Sequence, residues 1–243
     1  NQFAWRIPFV IGGVICLISY RIRKTLHETP EFKNIMSKPK VPIVYLFRKH
    51  WSQVIQGVIF SAIQQVFSVL AIIFMATYMR TFLHIPNNLV GLLLPIALSA
   101  TVLVIFLFGY WFRKADNVSQ LMWWSLIVNL IIVPVAYYVI GQKLSLFGGY
   151  ILLMIGHGLF GLLVPLYLTS LFPSNIRLSG VATCYNLSIT SFAGFAPIVV
   201  TELIQHHHLM IAAPSGYIML FIFLGALSLL WSSGKIANFK SRI

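Results

Sequence analysis

Long apolar segments alternate with short polar ones along this chain. Seven of the apolar segments are long enough to cross a bilayer, and they cover residues 3–21, 53–78, 89–112, 120–140, 146–169, 178–201 and 216–233. A hydrocarbon core of about 30 Å takes roughly 20 residues of helix to cross. Because a helix satisfies its own backbone hydrogen bonds in lipid, the pattern predicts an all-α protein, a polytopic membrane bundle of seven transmembrane helices.

The connection at residues 22–51 is the longest between two apolar segments. Within it, the run Thr29-Pro30-Glu31 has the features of a helix start, because Thr is a good N-cap and Pro fits the first helical turn. Phe32, Ile35 and Met36 then follow at helical spacing. The sequence predicts a short amphipathic helix on the inner membrane surface, and a plain connector is the alternative.

Composition agrees with a membrane protein, since 59% of the residues are hydrophobic, 9% are charged, and the mean hydropathy is +0.89. The net charge of +13 could indicate nucleic-acid binding, so its placement matters. With the connections assigned alternately to the two sides of the membrane, fourteen of the 17 Lys and Arg residues fall on one side. The other side receives only Arg6, Arg80 and Lys143.

This asymmetry predicts the orientation, because cytoplasmic loops carry the excess of Lys and Arg. The chain start is expected outside and the chain end in the cytoplasm. The positive charge is then explained by topology and by contact with anionic headgroups, so the expected partner is the lipid bilayer and not nucleic acid.

Polar side chains follow one face of two of the predicted spans. In the second span they recur at steps of three or four residues, and the sixth span repeats the pattern. Small residues and hydroxyls in such a stripe are explained by helix packing. The amides of Gln64, Gln65 and Asn186 need more hydrogen-bond partners than packing supplies, which favours a cavity.

The fifth span contains five glycines and Pro165, and interrupted helices indicate a binding site or a moving element in transporters. His157 lies near its middle, where a titratable group is a functional candidate, although a neutral His bonded to a hydroxyl is the alternative. Of the four acidic residues none lies deep in a span, and Glu202 lies at the outer end of the sixth. His157 and Glu202 are therefore the candidates for proton coupling in this chain.

Other chemistry finds no support in the sequence. The run His206-His207-His208 reads as a loop, because no carboxylate or cysteine cluster accompanies it. Cys16 and Cys184 fall in apolar spans and indicate no disulfide or metal site. No nucleophile elbow, HExxH, phosphate-binding loop or dinucleotide fingerprint is present, so we expect no catalytic residue, no metal and no cofactor, and the protein is not expected to be an enzyme.

Two groups of residues resemble a known family. The first is Trp5-Arg6-Ile7-Pro8-Phe9 followed by Arg23-x-x-Leu26-x-Glu28-Thr29-Pro30-x-Phe32. The second is Leu171-Phe172-Pro173-x-x-x-Arg177-x-x-Gly180, continuing into Tyr185-Asn186-Leu187 and Gly194-x-Ala196-Pro197. Both are similar to the metabolite–proton symporters of the major facilitator superfamily, a group that contains bacterial proline/betaine, shikimate, citrate and α-ketoglutarate transporters.

The resemblance implies a division of the chain. Residues 1–21 would be the sixth helix, the last of the amino-terminal half, and residues 22–51 the cytoplasmic central loop. Residues 52–234 would be the six-helix carboxy-terminal half, and residues 235–243 a cytoplasmic tail. A missing amino-terminal half of the same transporter is then an expected partner, and the bacterial cytoplasmic membrane is the expected location.

The chain departs from the family at its cytoplasmic face. Arg113 stands where the family usually has Asp between helices eight and nine, and Asp116 stands where it has Gly. Ser170 replaces the Glu that usually precedes Leu-Phe-Pro. In the superfamily those acids pair with arginines at the inward gate. The resemblance therefore assigns Arg113, Asp116 and Arg177 to this gate, and Arg177 would lack its usual acidic partner.

The leading functional hypothesis is a secondary active transporter, a proton symporter that moves a small polar or organic-acid metabolite by alternating access. The residues expected to line the substrate pathway are Gln64, Gln65, His157, Tyr185 and Asn186. Two alternatives remain open, a seven-helix receptor-type protein and a non-functional transporter remnant. A retinal protein is disfavoured, because residues 216–233 contain no Lys for a Schiff base.

Overall fold

The computed structural model describes residues 6–25, 42–112 and 117–236, and these residues form helices and no strands. The chain divides into two units, Asn1–Lys38 and Pro39–Ile243. The helices are α1 Ile7–Thr25, α2 Pro42–Lys49, α3 Trp51–Phe82, α4 Asn87–Phe112, α5 Val118–Gly141, α6 Leu146–Leu171, α7 Arg177–His207 and α8 Ala212–Ile236. The first unit contains α1, and all other helices belong to the second.

Six of the described helices, α3 to α8, are long and apolar enough to cross a membrane. The all-α, polytopic class is therefore confirmed, whereas the predicted count of seven is not reached in the described residues. The difference lies in the first predicted span, residues 3–21. Its helix α1 continues to Thr25 and takes in Arg21, Arg23 and Lys24, and residues 3–5 lie outside the described part.

The central connection contains a helix that the sequence did not predict. The amphipathic helix expected from Thr29 onwards lies outside the described residues, whereas α2 begins further along the chain, at Pro42. Leu46 is fully buried and packs α2 against the bundle. Ile43 and Phe47 are exposed on the same short helix.

Helix α6 is the most enclosed element of the bundle. It packs against α3, α4 and α5, while α3 also packs against α7 and α8. In the apolar stretch of α6 61% of the residues are buried, compared with 28% in α4 and in α7. Lipid or further protein must therefore cover most of α4 and α7.

The glycines of α6 do not interrupt it, contrary to the interpretation of this span as a broken helix. One α-helix runs through all of them and through Pro165. The glycines serve close packing instead. A Cβ at Gly158 would lie 2.8 Å from Val104 Cγ1 on α4, and a Cβ at Gly156 would overlap Asn129 Oδ1 on α5.

The carboxyl end of α7 also differs from the sequence prediction. His206 and His207 form the last residues of the helix rather than a loop. His208 ends it with a φ of 55°, in the left-handed conformation that commonly closes a helix.

Candidate substrate pathway

A hydrogen bond joins α3 and α7. Tyr185 Oη donates to Gln64 Oε1 at 2.8 Å, and both side chains are half-buried. The sequence placed Gln64 on the polar stripe of its span, whereas Tyr185 lies off the polar stripe of α7, whose Asn186 and Thr190 are exposed. Two of the five predicted lining residues are thus in direct contact.

His157 reaches the same face of α3 from α6. Its Nε2 lies 2.8 Å from Ser68 Oγ, and its ring meets the Phe67 ring edge-on with 5.6 Å between centroids. The side chain is only 7% exposed, and its Nδ1 is buried without a hydrogen-bond partner among the described residues. Gln64 and Ser68 are four residues apart on one helix, so their two hydrogen bonds lie one turn apart.

The other two predicted lining residues take different positions. Gln65 is half-buried beside Gln64, and the described part of the chain gives its side chain no hydrogen-bond partner. Asn186 is exposed, and its Nδ2 donates to Ala182 O of its own helix at 2.9 Å. It lines a groove of about 450 Å³ with Ile43, Ser179, Thr183 and other residues of α2 and α7.

The uncovered faces of α4 and α7 differ in polarity. Helix α4 exposes large apolar side chains such as Leu92, Leu103 and Phe106, which suit lipid. Helix α7 exposes Asn186 and Thr190 in its middle. Polar groups at that depth must meet protein or water, so this face of α7 belongs to a pathway or to an interface with further protein.

Both α3 and α7 contain a π-helical turn next to the Gln64–Tyr185 pair. The turns cover Val69–Ile73 and Ile189–Ala193, which begin five residues after Gln64 and four residues after Tyr185. The two helices run parallel, so the turns lie at the same depth. π-helical turns occur often at functional sites, because they break the regular pattern of backbone hydrogen bonds.

In each of these turns, one backbone carbonyl accepts a hydrogen bond from a tyrosine hydroxyl on a neighbouring helix. Tyr150 Oη on α6 donates to Ala71 O at 2.9 Å, and Tyr217 Oη on α8 donates to Phe192 O at 3.3 Å. Sequence reasoning missed both tyrosines, because no residue pattern marks a π-helical turn. Their place at opposite flanks of the α3–α7 pair makes them supports of the site rather than lining residues.

The remaining predicted site residues lie apart from this cluster. Glu202 is exposed near the carboxyl end of α7, with its Oε1 3.4 Å from His206 Nε2. Arg177 is exposed at the amino end, where its Nε donates to Phe172 O at 3.3 Å. Arg113 and Asp116 lie outside the described residues. Within the described ranges, no three His, Cys, Asp or Glu side chains form a group that could hold a metal.

Six apolar helices with a polar seam between α3, α6 and α7 define a multi-pass membrane protein. Similarity to known proteins narrows the class. The chain is 25% identical to the ectoine/proline transporter ProP of Corynebacterium glutamicum over 95% of its length and 48% of that protein. It is 29% identical to a putative metabolite transport protein of Haemophilus influenzae, over 82% of the chain and 49% of the relative.

A proline/betaine transporter of Salmonella typhimurium is 23% identical over 93% of the chain and 48% of that protein. The predicted resemblance to proline/betaine and metabolite transporters is thereby confirmed, and the chain spans about half the length of the curated relatives it matches. No family model matches the chain. No solved structure matches it either.

Proposed function

We propose that this chain is the carboxy-terminal part of a secondary transporter in a bacterial cytoplasmic membrane, with the chain start outside and the chain end inside. Its substrate would be a small polar or organic-acid metabolite or osmolyte, taken up with protons. The observation that supports this most is the polar seam of Gln64–Tyr185 and Ser68–His157 between apolar helices. Buried polar groups in a membrane bundle mark substrate and ion pathways.

The relatives support transport over the receptor alternative, since those compared above are described as transporters. Their named substrates, ectoine, proline and betaine, are small and polar, which agrees with a seam of amides, hydroxyls and one imidazole. The second wall of the site would come from an amino-terminal half. The exposed polar face of α7, with Asn186 and Thr190, supports such a partner.

The two π-helical turns suggest how the site opens. They divide α3 and α7 at one depth into inner and outer segments, so the outer segments can tilt together while the inner ones keep their packing. Helix bends at such turns cost little, because the backbone there is already irregular. Alternating access in this half would then use the turns as its flexible points.

Between the two coupling candidates, burial favours His157. It lies in the seam, and its imidazole ring can take a proton when the pathway opens to water. Glu202 is two-thirds exposed near the end of α7, away from the seam. We assign Arg113, Asp116 and Arg177 to the inward gate, as the resemblance implies.

Uptake of proline, betaine and dicarboxylates tests the proposal in the full-length transporter, with and without a protonophore. We expect Tyr185→Phe and His157→Gln to lower uptake at unchanged expression. The first removes only the hydroxyl that holds Gln64, and the second removes the proton-accepting ring. Ser99→Ala is the matched control, because Ser99 is an exposed hydroxyl on α4 bonded to Pro95 O.

Wild-type uptake by both variants would remove the seam from the pathway. Absence of uptake for every substrate in the wild type, with the protein correctly inserted, would favour the non-functional remnant. Uptake that ignores the protonophore would contradict proton coupling and leave the substrate site standing.

A further inference from the structure

Two tryptophans mark one membrane boundary of the bundle. Helix α3 begins at Trp51, and Trp231 lies in the last two turns of α8. The two helices pack against each other, and the ring centroids are 6.3 Å apart. Both side chains are about half exposed, at 54% and 49%. Tryptophan rings prefer the headgroup level of a bilayer, so this pair fixes the depth of the adjoining residues.

The short helix α2 extends from this boundary with an apolar side and a cationic side. At 100° per residue, Val44 and Phe47 share one side of α2, and Arg48 lies beside Val44. Trp51 begins α3 directly after the break at His50. Val44 and Phe47 are exposed, although both are large and apolar. Leu46 is buried against the bundle and holds this orientation. The arrangement is that of a helix lying in the membrane interface.

The cations of α2 are available to an external anion. Arg48 and Lys49 are exposed, and no carboxylate in the described part of the chain forms an ion pair with either. The Lys49 ammonium lies 5.3 Å from the centre of the Tyr45 ring. Burial, with the charge of Lys49, lowers the pKa of His50 below its usual 6.5, so His50 is neutral at pH 7 and adds no charge. Two cations thus lie just beyond the Trp51–Trp231 pair.

We propose that α2 and the Trp51–Trp231 pair bind the headgroup of an anionic phospholipid. The phosphate accepts hydrogen bonds from the Arg48 guanidinium, with Lys49 as the second cation. Phe47, Val44 and the two indole rings contact the upper part of the acyl chains. Charge complementarity and the depth set by the tryptophans favour lipid over a further protein segment as the occupant of this surface.

Lipid retention by the purified full chain tests this site without any transport assay. The chain is placed in nanodiscs of phosphatidylcholine mixed with phosphatidylglycerol, and native mass spectrometry counts the lipids that stay bound. We expect a preference for phosphatidylglycerol that falls about fivefold for each cation removed in Arg48→Gln and Arg48→Gln/Lys49→Gln. Trp51→Ala/Trp231→Ala lowers the retention of both lipids.

The matched control is Arg80→Gln/Lys143→Gln, which removes two exposed cations at the opposite end of the spans. Equal loss in this control would show a general charge effect and overturn the site. An unchanged phosphatidylglycerol preference in Arg48→Gln/Lys49→Gln, with an unchanged melting temperature, would also overturn it. Displacement of the lipid by inorganic phosphate alone would assign the cations to a free anion and contradict the lipid site.

Discussion

The two sides of α6 are built differently. Towards α4 and α5, the glycines leave so little space that a Cβ at Gly158 would lie 2.8 Å from Val104 Cγ1 and a Cβ at Gly156 would overlap Asn129 Oδ1. One hydrogen bond, from Thr101 Oγ1 to Met154 O, also lies on this close-packed side. Towards α3, ring contacts such as Phe67–Phe160 are joined by a hydrogen bond from the Tyr150 hydroxyl to Ala71 O and by the 2.8 Å contact of His157 Nε2 with Ser68 Oγ. This is the hydrogen-bonded side of α6.

The difference indicates which side can move. Interlocked backbones and methyl groups have one good arrangement, because any shift opens a void or creates an overlap. A hydrogen bond to a π-helical turn is less restrictive, since neighbouring carbonyls are available when the turn shifts. We interpret α4, α5 and α6 as a rigid wall and the α3–α7 pair as the adjustable part of the site.

The largest expected effect comes from breaking the rigid side. Gly156→Ala and Gly158→Ala each place a methyl group where no space exists, and we expect a loss of about 1–3 kcal/mol in unfolding free energy. The matched control on the same helix is Gly161→Ala, whose Cβ would meet Ile105 Cδ1 at an ordinary 3.4 Å. It should be neutral or slightly stabilising, because Ala favours helix. Thermal unfolding in detergent measures all three.

Equal melting temperatures for Gly156→Ala, Gly158→Ala and Gly161→Ala would show that α4 and α5 shift easily to accommodate an added methyl group. The contrast between the two sides of α6 would then fail. Melting of the first two variants well below the third would support the rigid wall and leave the α3 side to be tested separately.

The hydrogen-bonded side is expected to respond with a smaller loss of stability and a local change. Tyr150→Phe and Tyr217→Phe each remove a hydroxyl that donates to a carbonyl of a π-helical turn. We expect each to lower the unfolding free energy by about 0.5–1.5 kcal/mol. Amide hydrogen exchange should rise within residues 69–73 for the first variant and 189–193 for the second. Tyr138→Phe is the control, because this exposed tyrosine lies on α5 away from both turns.

Exchange that rises evenly along α3 or α7 would contradict a local role for the turns. An unchanged exchange pattern in both variants would show that the hydroxyls do not hold them. If Tyr150→Phe also loosened residues 189–193, the two turns would be coupled, which would sharpen the view of α3 and α7 as one adjustable unit.

The sequence predicted the parts of this fold that depend on hydropathy. Spans such as 89–112 and 120–140 match α4 and α5 within a few residues, because lipid imposes both the length and the helical state. The polar stripe of α3 was also visible, and Gln64 and Tyr185 were both expected to line the pathway. Their hydrogen bond was not predictable, since the residues are 121 positions apart and helix packing decides whether they meet.

The remaining errors have physical causes. Glycine in α6 was interpreted as a break, but neighbouring helices can stabilise a glycine-rich helix by packing into the space it leaves. The π-helical turns arise from tertiary contacts and have no composition of their own. Helix α2 is too short for a periodicity argument, and it depends on the single buried anchor Leu46.

The smallest expected effect on stability, and the sharpest test of function, concerns the exposed face of α7. Asn186→Ala removes only a hydrogen bond to Ala182 O within the same helix, so the unfolding free energy should change by less than about 0.5 kcal/mol. Uptake by the full-length transporter should nevertheless fall, because Asn186 faces the groove that α7 presents. Thr183→Ala, in the same groove but half-buried, provides a graded comparison. Unchanged uptake in Asn186→Ala would remove this face from the pathway and restrict the site to the seam of Gln64, Tyr185 and His157.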